Sequence, residues 1–259
     1  MITIPDPVPR LSQTQLDLRG QLPLKPDPVT LAGERVRLLP LDLERDTAAL
    51  YAVSNGQPIS VGERSHPAYD AERLIWRYML DGPFDTIDAF RDYLRPQVDA
   101  RDGLCLCVQE VTTAQPIGVV NYMTNVPTHL KIELGSIWYS PIAQRTGANT
   151  EATMLMLEHA FGLGYRRVEW KCNARNLRSR EAALRMGFRF EGIQEAHYIL
   201  QGRNRDTAWF RILDHEWPMV REHLETLLTA RPSERSGRDR DRPSTDGRAA
   251  IGTELRVDG

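Results

Sequence analysis

What this chain of 259 residues lacks excludes several kinds of chemistry. It contains neither GxxxxGK[ST] nor GxGxxG, so the P-loop and the Rossmann dinucleotide signatures are missing. Charge of one sign is not in surplus: 33 Lys and Arg stand against 35 Asp and Glu, a net charge of −2. Such a balance gives no global field to gather nucleic acid or an anionic membrane, and neither is expected as a partner. No apolar run approaches the ~20 residues that a membrane-spanning helix needs. The N-terminus has no basic-then-apolar pattern of a secretory signal, which makes the cytoplasm the expected compartment. Cysteine is scarce, with only Cys105, Cys107 and Cys172. Without His or further Cys at ligand spacing they read as core thiols, and no metal is expected.

What is present divides into an arm, a domain and a tail. Residues 1–33 hold six of the 17 prolines (Pro5, Pro7, Pro9, Pro23, Pro26, Pro28), which argues against regular helix and for an extended arm. Residues 231–259 mix Arg and Asp with Ser, Gly and Pro and offer too little apolar surface to offset ordering, so a disordered charged tail is expected. Residues 34–230 are ample for one packed domain. Within it, strand patterns fall at 35–39, 104–110, 117–122, 132–139, 167–172, 196–200 and 207–213, and helical patterns at 43–54, introduced by Asp42, then 71–80, 87–98, 150–161 and 218–228. In the helix at 150–161 the apolar side, Met156, Leu157 and Ala160 continuing to Leu163, is expected to face away from Glu151 and Glu158.

The segment Gln144-Arg145-Thr146-Gly147-Ala148-Asn149-Thr150 joins the strand ending at Tyr139 to a strongly apolar helix. First-turn amides of a helix have no intrahelical acceptor, and Gly147 and Ala148 leave them uncovered, so donors and the positive end of the dipole face one point. An anion such as pyrophosphate is favoured there. The plain alternative is a turn before a core helix. A second motif follows the strand at 167–172: Asn173-Ala174-Arg175-Asn176-Leu177-Arg178-Ser179, running on to Gly187-Phe188 and Glu191-Gly192. There Ser179, Ala182, Ala183 and Met186 share one helix face, while Arg178, Glu181 and Arg185 take the other. A hydroxyl inside that stripe needs a partner, and the plain one is the carbonyl one turn back. Asn176 reads as a helix N-cap.

Together the two motifs resemble the GNAT N-acetyltransferase superfamily, and most closely its RimJ/RimL-like branch, in which a Q/R-x-x-G-x-G/A loop precedes a long helix, a strand and an Asn-x-x-Ser helix. The likeness runs from about Glu34 to Trp217, and Asn149 departs from it, standing where the loop prefers Gly or Ala. The resemblance implies an α+β fold, a mixed, mostly antiparallel twisted sheet flanked by helices. It also implies an acetyl-CoA-dependent N-acetyltransferase, acting on a primary amine, either a protein N-terminus or a small molecule, by direct attack in a ternary complex.

Site roles follow from the same resemblance. Coenzyme A would be held by Leu134, Ser136 and Ile137 on the strand, by Gln144, Arg145, Thr146, Gly147, Ala148, Asn149 and Thr150 in the loop, and by Asn176 and Ser179, with Ser179 returning a proton to the departing thiolate. Glu133 would take the amine proton. Its plain alternative is a surface carboxylate paired with Lys131. The acceptor would lie against Trp76, Tyr78 and Phe84 and against His197 and Tyr198, of which His197 is a second candidate base; core packing competes for the aromatics. A catalytically silent acyl-CoA-binding sensor or scaffold is the other reading, and either a monomer or a homodimer is compatible with the sequence.

Overall fold

Leu104, Cys105, Leu106, Cys107 and Val108 form an unbroken run without polar alternation, and they become a central strand buried on both faces. The computed structural model describes residues 10–200 and 202–230. In chain order these form α1 (Gln13–Leu18), β1 (Leu31–Ala32), β2 (Val36–Pro40), α2 (Leu43–Ala52), β3 (Ile59–Val61), β4 (Arg64–His66), α3 (Ala71–Leu74), α4 (Ile87–Val98), β5 (Leu104–Glu110), β6 (Pro116–Val126), β7 (Lys131–Tyr139), α5 (Ala148–Gly162), β8 (Arg167–Asn173), α6 (Leu177–Arg185), β9 (Arg189–Leu200), β10 (Arg203–Leu213) and α7 (Trp217–Thr229). Eight strands make one sheet in the order β1-β2-β5-β6-β7-β8-β10-β9, and β3 and β4 form a separate hairpin. Every described pairing is antiparallel except β7 with β8. The mixed, mostly antiparallel α+β architecture is the expected one.

The sheet separates two apolar cores. On one face Leu134, Met156, Leu157, Trp170 and Phe210 pack together, with α5 lying across the sheet. On the other, Trp76, Phe90, Leu94, Cys105, Cys107, Val119 and Trp138 form an aromatic-rich cluster carried by α4 and the preceding turn. The three cysteines are free and buried. No described helix is long and apolar enough to cross a membrane.

Several local expectations change. The arm is not simply extended: its prolines fall on either side of residues 10–22, and in that window Ser12 caps α1, its Oγ accepting from the Gln15 amide. The arm then lies on the domain, where Asn125 Nδ2 donates to the Pro23 and Leu24 carbonyls. The helix expected over 71–80 stops at Leu74, because Ile75 leaves helical angles (φ −124°) and a 3-10 turn at Trp76–Tyr78 swings the Trp76 ring against Phe84, Phe90 and Tyr93. β9 starts at Arg189, well before 196. The tail at 231–259 lies outside the described residues.

Glu151 does not face away from the core. It is buried at 3% exposure, and its carboxylate accepts the backbone amides of Glu34, Arg35 and Val36 at 3.2, 2.8 and 2.8 Å. One helical side chain thus ends the N-terminal arm and sets where β2 begins. It also places negative charge at the positive end of α5. Leu163, at the far end, is instead 41% exposed. Glu151→Ala leaves three amides without their acceptor and should lower the stability of the domain by about 3 kcal/mol in urea unfolding. Glu151→Gln, which keeps one acceptor oxygen, should cost about half of that.

Candidate active site

Where β7 and β8 run side by side, the sheet is unable to stay closed. They pair in parallel from Lys131 opposite Arg167 to Leu134 opposite Trp170, yet β7 continues to Tyr139 and β8 to Asn173 without further mutual pairing. The cause is a bulge on β7. Gly135 faces Asn121 and Trp138 faces Val119, so Ser136 and Ile137 together oppose Val120 alone. Ser136 takes φ +47°, and a bulge of this kind bends its strand. Asn121 secures the bend by donating from Nδ2 to the Ser136 carbonyl at 3.3 Å and to Gln97 Oε1 at 3.2 Å. Meanwhile β8 stays registered on β10 as far as Asn173. The two strands diverge.

A cavity of about 610 Å³ fills the divergence, lined by Glu133 to Ile137 of β7, by Trp170 to Asn173 of β8, and by Asn176 and Ser179 of α6. Successive residues of a strand point to opposite faces, so a cavity touching four in a row passes through the sheet. Trp170, Cys172 and Ser179 belong to the α5 side. Glu133, Lys171 and Asn173 belong to the side of α4, where Tyr78, Tyr93, Gln97, Arg205 and Thr207 complete the wall.

On the α5 side, Asn176 caps α6 by accepting the Ser179 amide at its Oδ1, 3.2 Å away. Ser179 does not bond back to its own helix. Its Oγ accepts the Trp170 indole N–H at 3.1 Å, and its own proton is left to be donated on the slot side, where Cys172 lies within hydrogen-bonding reach. On the other side, Glu133 is buried at 3% exposure and is no surface carboxylate. Its partner is Lys171, whose Nζ lies 2.6 Å from Oε2, while Lys131 reaches Glu169 at 3.3 Å. The direct neighbours Glu133 and Glu169 are both acidic, so each leans to the cation on its diagonal. Burial pushes the Glu133 carboxyl above its ordinary pKa, the Lys171 charge and Thr124 pull it back, and Glu169 adds to the rise.

Residues 35–189 match the family described as acetyltransferase (GNAT) domain. The chain belongs to the GNAT acetyltransferase family. It is similar to the crystal structure of a GCN5-related N-acetyltransferase from Brucella melitensis, with 36% identity over 80% of this chain and 88% of that one and a TM-score of 0.70. A probable acetyltransferase of the GNAT family from Chromobacterium violaceum is 34% identical over 84% of this chain and 100% of that one, with a TM-score of 0.70. The fold is also shared with the microcin C7 self-immunity acetyltransferase MccE, solved with acetyl-CoA and AMP, at 20% identity over 70% of this chain and 93% of that one and a TM-score of 0.57. No curated protein matches. The chain is thus an acyltransferase of a family whose members use acetyl-CoA.

The loop of this GNAT acetyltransferase lies outside the cavity, past the end of β7. Gly147 occupies the N-cap of α5 at φ +94°, a conformation that favours glycine, and Arg145 is left-handed at φ +66°. Thr146 Oγ1 donates to the Ala143 carbonyl and accepts the Ala148 amide, and Gln144 Nε2 donates to the Leu74 and Tyr139 carbonyls. Asn149 and Thr150 sit in the first helical turn, where amides have no intrahelical acceptor. These donors and the unladdered edges of β7 and β8 fit a ligand with phosphates at one end and an amide-bearing chain at the other.

Leu134, Ser136, Ile137, Tyr78 and Tyr198 line the slot, whereas Trp76, Phe84 and His197 do not. Trp76 is 2% exposed, its indole N–H donates to the Ser54 carbonyl, and Phe84 packs edge-on against it. His197 stacks beside Tyr198 at 3.9 Å, and burial, with the Lys171 and Arg205 charges, lowers its pKa, so its imidazole stays neutral at neutral pH. Lys171, Arg205 and Thr207 were not singled out from the sequence. A lysine between Trp170 and Cys172, in a strand otherwise apolar there, was the available signal. The Glu133 carboxyl should titrate above the usual glutamate range in carboxyl carbon NMR, and Lys171→Met, which removes the charge that holds it down, should raise it further.

Proposed function

We propose that this GNAT acetyltransferase moves an acetyl group from acetyl-CoA to a primary amine by direct attack in a ternary complex, in the manner of the RimJ/RimL-like enzymes that its loop and Asn-x-x-Ser motifs resemble. The observation that carries this reading is the placing of Ser179 and Glu133 on opposite sides of one slot. Acetyl-CoA supplies the activated thioester. Glu133, buried and paired with the Lys171 ammonium, takes the proton that the amine must lose. Ser179, fixed by the indole of Trp170, donates its hydroxyl proton to the sulfur that leaves. The bulged backbone at Gly135 and Ser136 supplies an amide to polarise the carbonyl. Cys172 also lines the slot, but burial pushes its thiol above the ordinary value, and a protonated thiol is a poor nucleophile. An acyl-cysteine route is therefore disfavoured.

Two substitutions separate the roles. Ser179→Ala removes the acceptor of the Trp170 indole and should cost about 1 kcal/mol of stability. Measured well below the melting temperature, its kcat should fall about 10²-fold while CoA affinity stays nearly constant. A base works only when deprotonated, so Glu133→Gln should lose most at low pH and recover as the amine deprotonates unaided, whereas Ser179→Ala stays impaired at every pH. Wild-type turnover in both variants would leave an acyl-CoA-binding protein without these catalytic groups.

The loop is tested by calorimetry. CoA should bind much more tightly than dephosphorylated pantetheine, and Gly147→Val, which forces a β-branched residue into a left-handed conformation, should weaken CoA. Equal affinity for the two ligands would remove the phosphate role of residues 145–150.

A further inference from the structure

Two donors on the β10 wall of the slot have no acceptor among the described residues. Thr207 is fully buried at 0% exposure, lines the cavity, and its Oγ1 makes no hydrogen bond among the described residues. Arg205, two residues earlier on the strand and therefore on the same face, lines the same cavity, and its Nε is buried and equally without an acceptor. Its guanidinium packs 5.1 Å from the centre of the Tyr198 ring. The neighbouring carboxylate does not serve it: Asp206 is turned to the opposite side, where its Oδ1 accepts the Ala196 amide at the β9 bulge. Lys171, the other cation of this wall, is already matched by Glu133. Buried donors without acceptors are costly in a folded protein, and a fixed guanidinium beside a hydroxyl is the donor set that binds a carboxylate.

We propose that Arg205 and Thr207 form a carboxylate subsite, so that the acceptor is a small amine carrying a carboxylate in its own skeleton. This rests on the slot being where amine and acetyl donor meet. The register supports the placement, since Thr207 opposes Asn173 and Trp209 opposes Lys171, which puts the subsite on the same sheet face as Glu133 and, counted from its partner Lys171, one and two same-face steps further along β10. An amine reaching Glu133 would lay its carboxylate toward β10. Asp81 and Asp102 also line the cavity.

The test uses matched amines with and without the carboxylate: phenylalanine and phenethylamine, methionine and 3-(methylthio)propylamine, lysine and 1,5-diaminopentane, assayed by CoA release. At least one carboxylate-bearing member should have the higher kcat/KM. Arg205→Met should lower that value by roughly 10- to 100-fold, the scale of a charge-assisted hydrogen bond, with its carboxylate-free partner unchanged. Thr207→Val should cut the same preference without lowering the melting temperature, because no bond within the protein is lost. Calorimetry of the N-acetylated forms on the enzyme–CoA complex reads the subsite without turnover. If no amine releases CoA but the acetylated carboxylates bind in an Arg205-dependent way, the transfer reading fails and the subsite stands. Equal handling of both members of every pair, equal loss for both in Arg205→Met, weakened CoA binding in that variant, or no binding by any carboxylate overturns the subsite.

Discussion

Everything in the site depends on one failure of pairing. Parallel strands β7 and β8 share a ladder for four register positions and then lose it, because a bulge braced by Asn121 bends β7 while β10 keeps β8 straight. The interruption exposes backbone groups on both edges, opens the slot, and lets residues from the two faces of one sheet meet a common space. An antiparallel meander alone would have sealed it. The single parallel step, reached by the crossover through α5, brings two strand ends to the same side where they can part.

Charge then fixes the closed half. Glu133 and Glu169 oppose one another across the ladder, an arrangement that repels, and Lys131 and Lys171 relieve it on alternate diagonals. Glu169 is held further by Arg167, which also pairs with Glu191 on β9. Lys171 therefore serves two ends at once: it pins β8 to β7 beside the point of divergence, and it keeps a deeply buried carboxyl from being as weak an acid as burial alone would make it.

Much of the fold was legible in the sequence. Helix α4 lies at 87–98 as expected, Asp42 and Asn176 cap their helices, and strands β5 and β8 fall within a residue of their patterns. These are local signals, carried by capping chemistry and apolar runs. Residues whose roles depend on remote partners were not legible. Glu151 looked like a solvent-facing glutamate because its amide partners lie about 115 positions earlier in the chain. The plain alternative for Glu133, a surface pair with Lys131, fails because adjacency in sequence hid the diagonal to Lys171. For Ser179 the plain alternative was a carbonyl of its own helix, when the protein group it meets is an indole on the neighbouring strand. In each case tertiary contact overrode the nearest local partner.

The slot's passage through the sheet restricts how β8 can vary. Trp170 and Cys172 serve one side and Lys171 and Asn173 the other, so each position is tied to its side by parity alone. Replacing one residue changes one contact. Inserting one between Glu169 and Trp170 would turn every later side chain over, sending the lysine toward α6 and the tryptophan ring out of its core. This strand can drift in composition but not in length.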